Sequence, residues 1–398
     1  MSKSKAGKPD TDKVEFFRHS VGPDERARVA EVLEGVFLTT GAEVRAFESE
    51  LAAFLSNDRA DLRALGVSSC TAALHLALLT AGVGPGDQVI TTPMTFIASA
   101  NAVMHAGATP VFVDVEPATG LLDAAAVEAA ITGRTRAVLA VHLYGHLCDM
   151  RALRAVCDRH GLALVEDAAH ALEAVRDGVR PGQLGDAACF SFYATKNITS
   201  GEGGALVSRH PDRIDRARVL SLHGMSAGAE ARYGDTYRHW DMVALGYKYN
   251  MTNIQAAMLR PQLVRIDQLH ERRQALARRY EAAFAAIDGI DVAVVKRGAT
   301  SARHLFTIWV PARQRDHYLT ELGQRGIGVA VNYRAIHLLS YFRRRFAFSR
   351  GQFPNAESIG DRTISLPLYP GLSDHQQDRV IEAVRDVHAG VQSIRSPS

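Results

Sequence analysis

Residues 137–167 read AVLAVHLYGHLCDMRALRAVCDRHGLALVED. The stretch opens on an apolar run at 137–143, passes through an amphipathic segment at 150–160, and closes on a second apolar run at 162–165. This spacing predicts a strand, a helix and a second, parallel strand, the unit that builds sheets covered by helices on both faces. The second strand ends in two carboxylates, Glu166 and Asp167. Open sheets of this kind bind ligands outside the carboxyl ends of their strands, so these acids stand where chemistry is expected.

The alternation extends in both directions. Upstream, residues 23–55 read as helical with a break near Thr39-Thr40-Gly41. Strands are predicted at 62–67, 89–92 and 111–115, and helices at 68–81, 96–106 and 123–131. Gly84-Pro85-Gly86-Asp87 marks a turn. Downstream, strands at 187–192 and 205–208 flank a polar, glycine-rich loop, and a helix is predicted at 212–222. Residues 224–250 read as irregular, and a long helix over 254–284 is expected to be interrupted or bent near Pro261. The remainder reads as a smaller α+β unit, with strands at 292–295, 304–310 and 327–331 and helices at 314–325 and 374–388. The expected organisation is a flexible tail at 1–13, a large domain at 14–257 with a mainly parallel α/β sheet, and a small C-terminal domain at 258–398.

Composition narrows the function. The 398 residues carry a net charge of +3, which calls for no nucleic acid or membrane surface. No apolar run is long enough to span a membrane, and the polar start lacks the core of a signal peptide. Cys70, Cys148, Cys157 and Cys189 form no metal spacing and no disulfide framework, which fits a reducing, cytoplasmic setting. Of 46 basic residues only seven are lysines, and four of those fall within the first 13 residues. The folded body keeps Lys196, Lys248 and Lys296.

Lys196 follows an apolar strand in a loop that turns back through Gly201-Glu202-Gly203-Gly204. A partly desolvated lysine there has a lowered pKa and an amine free to form a Schiff base. By itself it reads first as a surface loop lysine, and what shifts that reading is the scarcity of lysine in an arginine-preferring chain. Asp167 alone reads as a partner for a protonated pyridine nitrogen, a Mg²⁺ ligand or a ribose contact. His170 is either a hydrogen-bond partner for a cofactor oxygen or a core-edge histidine. Ser68-Ser69-Cys70-Thr71 opens a helix with capping chemistry, and such an end doubles as a phosphate site. Ser191, on the edge of the strand before Lys196, could add a hydroxyl to the same phosphate. Phe96 begins the next helix and suits either ring stacking or ordinary packing. The order of these residues at strand ends carries the weight: phosphate site, aromatic plate, acid, lysine. A dinucleotide glycine fingerprint after the first strand is absent.

Taken together, the sequence resembles the DegT-type nucleotide-sugar aminotransferases, which are fold-type-I enzymes dependent on pyridoxal phosphate. The resemblance rests on FLTTG (37–41), SSCTAALHLAL (68–78), GPGDQVITTPMTFIASANAV (84–103) and PVFVDV (110–115). It continues through EDAAHA (166–171), FSFYATKNITSGEGG (190–204), GYKYNMTNIQAA (246–257) and SLPLYP (365–370). Within the family, the AAHA, KNIT and GYKYN forms are similar to the UDP-4-amino-4-deoxy-L-arabinose–oxoglutarate aminotransferases. The resemblance implies Lys196 as the cofactor lysine, which also moves the proton between cofactor and sugar. It implies Asp167 as the pyridine partner and Phe96 as the stacking ring. Cys70, Thr71 and Ser191 match the phosphate positions, and His170 stands where most of the family has Gln. Asn250 would reach the phosphate of the neighbouring subunit in a homodimer, and Lys248 would lie near the sugar nucleotide. His304, Tyr333 and His337 fall in segments expected to close the sugar pocket, although either histidine reads better as a satisfied structural one. Glutamate and 2-oxoglutarate complete the implied set, with pyridoxamine phosphate as the intermediate cofactor form. Two further readings are a sugar deoxygenase, whose relatives carry His at the lysine position, and a regulator that binds the cofactor without turnover.

Overall fold

The computed structural model describes residues 13–58, 61–226 and 239–395. The predicted tail lies almost wholly outside the described residues. Val14 is already buried, and it forms a bridge with Ile327.

Two helices, α1 (Pro23–Glu34) and α2 (Ala42–Ser56), precede the alternating region. That region runs β1 (Arg63–Val67), α3 (Cys70–Thr80), β2 (Gln88–Thr91), α4 (Ile97–His105), β3 (Thr109–Phe112), α5 (Ala124–Ala129), β4 (Thr135–Val141), α6 (Met150–His160) and β5 (Ala163–Asp167). Then come β6 (Val175–Arg176), β7 (Ala187–Ser191), β8 (Gly204–Ser208) and α7 (Pro211–Ser221). The C-terminal part contains α8 (Asn253–Val264), α9 (Ile266–Phe284), β9 (Asp291–Val292), β10 (Ala299–Thr300), β11 (Phe306–Trp309), α10 (Arg315–Gln324), α11 (Ser340–Phe346), α12 (Pro354–Arg362), β12 (Thr363–Leu366) and α13 (Asp374–Arg395). The main sheet has seven strands in the order β1-β8-β7-β5-β4-β2-β3. Only β8 opposes its neighbours, and the other pairings are parallel. This is the fold-type-I architecture that the sequence predicts.

Strand periodicity assigns the two acids of β5 to opposite faces. Val165 belongs to the core that holds Leu74 and Leu76 of α3, whereas Leu164 belongs to the core that holds Phe47 of α2 and Leu153 of α6. Asp167 therefore shares the α3 face, and Glu166 faces the other layer. Glu166 is fully buried. Its Oε2 accepts from His142 Nε2 at 2.8 Å, and its Oε1 accepts from the Gly182 and Gly185 amides at 2.9 and 3.1 Å. His142 Nδ1 accepts the Cys148 amide at 3.3 Å, so the ring proton sits on Nε2 and points at Glu166. A Cβ on Gly185 would lie 2.3 Å from Glu166 Oε1, so the loop needs glycine there. One acid thus braces the sheet while its neighbour is released for the site.

The C-terminal elements refine the expectations. The long helix is interrupted at Arg265 (φ −106°, ψ 17°), four residues after Pro261, which itself lies inside α8. Gln262, next to Pro261, accepts the Thr199 amide at 3.0 Å and donates to the Thr199 carbonyl at 2.8 Å. Residue 257 consequently falls within α8, which packs on α1 and α2, and the chain leaves that layer at Arg265. Residues 327–331 form no strand and make only the bridges Val14–Ile327 and Ala330–Ser365. A Cβ on Gly328 would lie 2.5 Å from the Phe16 amide, so the incoming N-terminal segment occupies that edge. The small sheet is instead β12-β11-β9.

Glu166→Ala leaves His142 Nε2 and two amides without their buried acceptor. We expect it to destabilise the apoprotein by about 3–5 kcal/mol in urea unfolding. A loss under about 1 kcal/mol would contradict the bracing role.

Candidate functional site

The carboxyl ends of the parallel strands open into a cavity of about 500 Å³. Cys70, Thr71, Phe96, Asp167, His170, Ser191, Lys196, His304 and Tyr333 all line it. The sequence thus named nine residues, from six separate segments, that the fold brings together.

Each is positioned by its element. Ser69 caps α3, its hydroxyl accepting the Ala72 amide at 3.1 Å. Ser69, Cys70 and Thr71 at this helix start all line the cavity, and a helix N-terminus leaves amides there without helical partners. A Cβ on Gly204 would lie 2.3 Å from the Ser69 carbonyl carbon, so β8 begins directly against this helix start. The Cys70 thiol turns inward to the Cys189 carbonyl at 3.4 Å, leaving its backbone to the helix end. Burial, reinforced by Asp167, pushes that thiol's pKa well up and keeps it protonated. Phe96 stands at the N-cap of α4 with half its surface exposed, its ring 5.7 Å from that of Tyr333.

Asp167 Oδ2 accepts from Ser99 Oγ at 2.7 Å, and Oδ1 accepts the Ala169 amide at 3.2 Å. Ser99 in turn is 2.8 Å from Thr95 Oγ1, so a hydroxyl chain aims the acid. Sequence reasoning missed Ser99. Its signal was the spacing from Phe96, three residues on and one helical turn away.

Lys196 sits in a loop closed by its own bonds. Its amide reaches the Tyr193 carbonyl at 2.9 Å, the Ser200 amide reaches the Phe192 carbonyl at 3.0 Å, and Gln262 clamps Thr199 from α8. Lys196 is half-buried on the cavity wall, and desolvation lowers its amine's pKa to about 8 against the opposing pulls of Cys70 and Asp167. His304 Nε2 lies 3.4 Å from Lys196 Nζ. His170 Nε2 pairs with the Tyr333 hydroxyl at 3.1 Å, and burial and then Lys196 hold His170 uncharged.

Three named residues lie elsewhere. His337 is fully buried behind the cavity wall, 3.0 Å from Glu357 Oε1, and packs on Phe353. Phe353 and Phe348 also pack on Phe112 of β3, so His337 belongs to an aromatic cluster outside the cavity lining. Asn250 donates to Thr40 Oγ1 at 2.8 Å, and Lys248 bonds to Asn250. Neither lines the chain's own cavity. Lys296, left without a role by the sequence, pairs with Glu116 at 2.9 Å.

The donor set fits a phosphorylated pyridine aldehyde. A neutral-leaning amine, a carboxylate held by a hydroxyl, a helix end with hydroxyls and an aromatic face supply one partner for each of its groups. Among the described residues no His, Cys, Asp or Glu group could hold a metal ion.

Comparison with known proteins agrees with this chemistry. The chain is 43% identical over 376 residues to the spore coat polysaccharide biosynthesis protein SpsC of Bacillus subtilis, covering 93% of this chain and 96% of that protein. It matches S. venezuelae DesV, solved in complex with a ketimine intermediate, at 40% identity and a TM-score of 0.84, covering 92% and 94% of the two chains. It also matches the sugar aminotransferase Spr1654 of Streptococcus pneumoniae, solved in a PMP form, at 31% identity and a TM-score of 0.89, covering 95% and 100%. The DegT/DnrJ/EryC1/StrS aminotransferase family model spans residues 19–385, and the chain belongs to that family.

Proposed function

We propose that this protein uses pyridoxal phosphate, alternating with pyridoxamine phosphate, to move an amino group from glutamate to the 4-keto carbon of a nucleotide-linked sugar. The sugar is a 4-keto pentose or a 6-deoxyhexose. The observation that carries the reading is a half-buried lysine and a hydroxyl-held aspartate in one cavity beside a capped helix end. The product enters a surface glycan or a glycosylated natural product, and the relative named for spore-coat polysaccharide synthesis supports the glycan route.

Lys196 and Asp167 divide the work. When bound, the cofactor supplies an electron sink for the carbon that loses its proton. Lys196 Nζ takes that proton in the glutamate half-reaction and delivers one to the sugar carbon in the other. Asp167 would hold the ring nitrogen protonated. The first turn of α3, with the Thr71 and Ser191 hydroxyls, would hold the phosphate, and Phe96 would cover the ring face. Lys196 in place of His disfavours the deoxygenase reading, and its lowered pKa suits turnover better than mere binding.

A second copy of the chain completes the proposed site. Asn250 and Lys248 lie outside their own cavity, which supports their reaching a neighbour's. Val36 and Leu245 are 91% and 81% exposed, apolar surface that a homodimer would cover. The four unpaired, buried thiols support a cytoplasmic setting.

A reverse panel tests the reaction. Offered 4-amino sugar nucleotides and 2-oxoglutarate, the wild type should form glutamate with one of them. Lys196→Ala should retain bound cofactor and lose both half-reactions by on the order of 10³-fold or more. Turnover retained in that variant sinks the mechanism.

Acid–base behaviour gives a second test. Only the neutral amine adds to the aldehyde, so cofactor capture by the apoenzyme should rise about tenfold per pH unit and level off near the lowered pKa, about 8. At pH 7.5 roughly a quarter of the molecules hold a neutral amine, against about one in a thousand for an ordinary lysine. A rate still climbing through about pH 10 would show an unperturbed lysine.

A further inference from the structure

The sequence placed His304 among the sugar contacts, yet its firmest bonds run the other way. Residues 301–305 are clamped to the turn after β4. The Ala302 amide donates to the Gly145 carbonyl at 2.8 Å, and Ser301 Oγ donates to the same oxygen at 3.1 Å. Gly145 has φ +98°, and a Cβ there would lie 3.0 Å from the Arg303 amide and 3.1 Å from that of His304. The imidazole is therefore carried on a tightly packed segment.

Its proton is placed by a chain of buried groups. Asn197 Nδ2 lies 2.9 Å from both Glu173 oxygens and 2.9 Å from the Ala302 carbonyl. The Ala302 carbonyl can only accept, so the amide nitrogen must face it. Asn197 Oδ1 is then left 3.2 Å from His304 Nδ1, and only an N–H on that nitrogen completes the contact. The proton therefore sits on Nδ1, and Nε2 presents a lone pair 3.4 Å from Lys196 Nζ. Lys196 from its own loop, His170 from the turn after β5, and Arg273 from α9 are the charged or titratable groups acting on the ring. Burial first, and then these three, keep it uncharged.

We propose that His304 is a positioning residue for Lys196: locked by Glu173 and Asn197 with its proton on Nδ1, it accepts an N–H from the lysine amine and leaves that amine's lone pair for the cavity. The inference rests on the reading of Lys196 as the cofactor lysine. Since Lys196 serves both half-reactions, its positioning residue serves both as well. A sugar contact would serve only one.

Single-turnover rates of the holoenzyme separate the two roles. His304→Phe should bind cofactor normally and slow the glutamate and sugar half-reactions alike, by on the order of 100-fold. His304→Gln keeps an acceptor and should recover at least roughly tenfold over the phenylalanine variant. Rates unchanged in His304→Phe, or slowed only with the sugar, overturn the assignment. Should His304→Phe fail to fold, neutron diffraction from the unaltered holoenzyme decides the same point. A deuteron on His304 Nδ1 supports the assignment, and one on Nε2 with a bare Nδ1 overturns it. If the wild type itself runs neither half-reaction, the reading of the site fails. If it runs both and the variant keeps pace, only this assignment fails.

Discussion

The molecule depends on partly desolvating one primary amine on a cavity wall that also carries an acid. Water favours ammonium, and an ammonium cannot attack a carbonyl. Burial of Lys196 shifts that balance toward the free base, with a pKa near 8. The same burial is hazardous, because a poorly held amine in an apolar site finds other partners or admits solvent. Much of the surrounding structure answers that hazard. The loop bonds its own carbonyls, Gln262 ties it to α8, and Glu173, Asn197 and His304 form a wall behind it.

The sheet answers the second half of the problem, which is where to put negative charge. Two adjacent carboxylates at one strand end would repel each other if they shared a face. Strand pleating separates them. Glu166 is taken up by His142 and two glycine amides, and Asp167 by Ser99 and the Ala169 amide. Both acids are thereby satisfied, and only Asp167 opens onto the cavity. The glycines at 185 and 204 are required by these close approaches, since a side chain at either would enter a neighbouring acid or the helix start.

Much of this was legible in the chain. Parallel strands buried on both faces read as short apolar runs between helices, and so β1 to β5 emerged with small boundary shifts. Lys196 stood out because an arginine-rich body retains so few lysines, and Asp167 because it ends a strand. What stayed hidden depends on contacts between residues far apart. Glu173 and Asn197 are 24 residues apart, and Asn197 and His304 are 107 apart, so no local pattern joins them. His337 looked like a pocket residue because its segment follows Tyr333, but a short helical turn carries it into the core against Glu357. The apolar run at 327–331 has strand composition, and its edge is taken by the N-terminal segment. The interruption expected near Pro261 falls four residues on, at Arg265.

The scarcity of lysine also makes the central claim unusually open to test. Borohydride reduction of the holoenzyme fixes the cofactor to whichever amine holds it, and peptide mass spectrometry then reads the position. The account predicts a single adduct on Lys196. An adduct on Lys248 or Lys296, or no adduct on a protein that carries the cofactor, would contradict it.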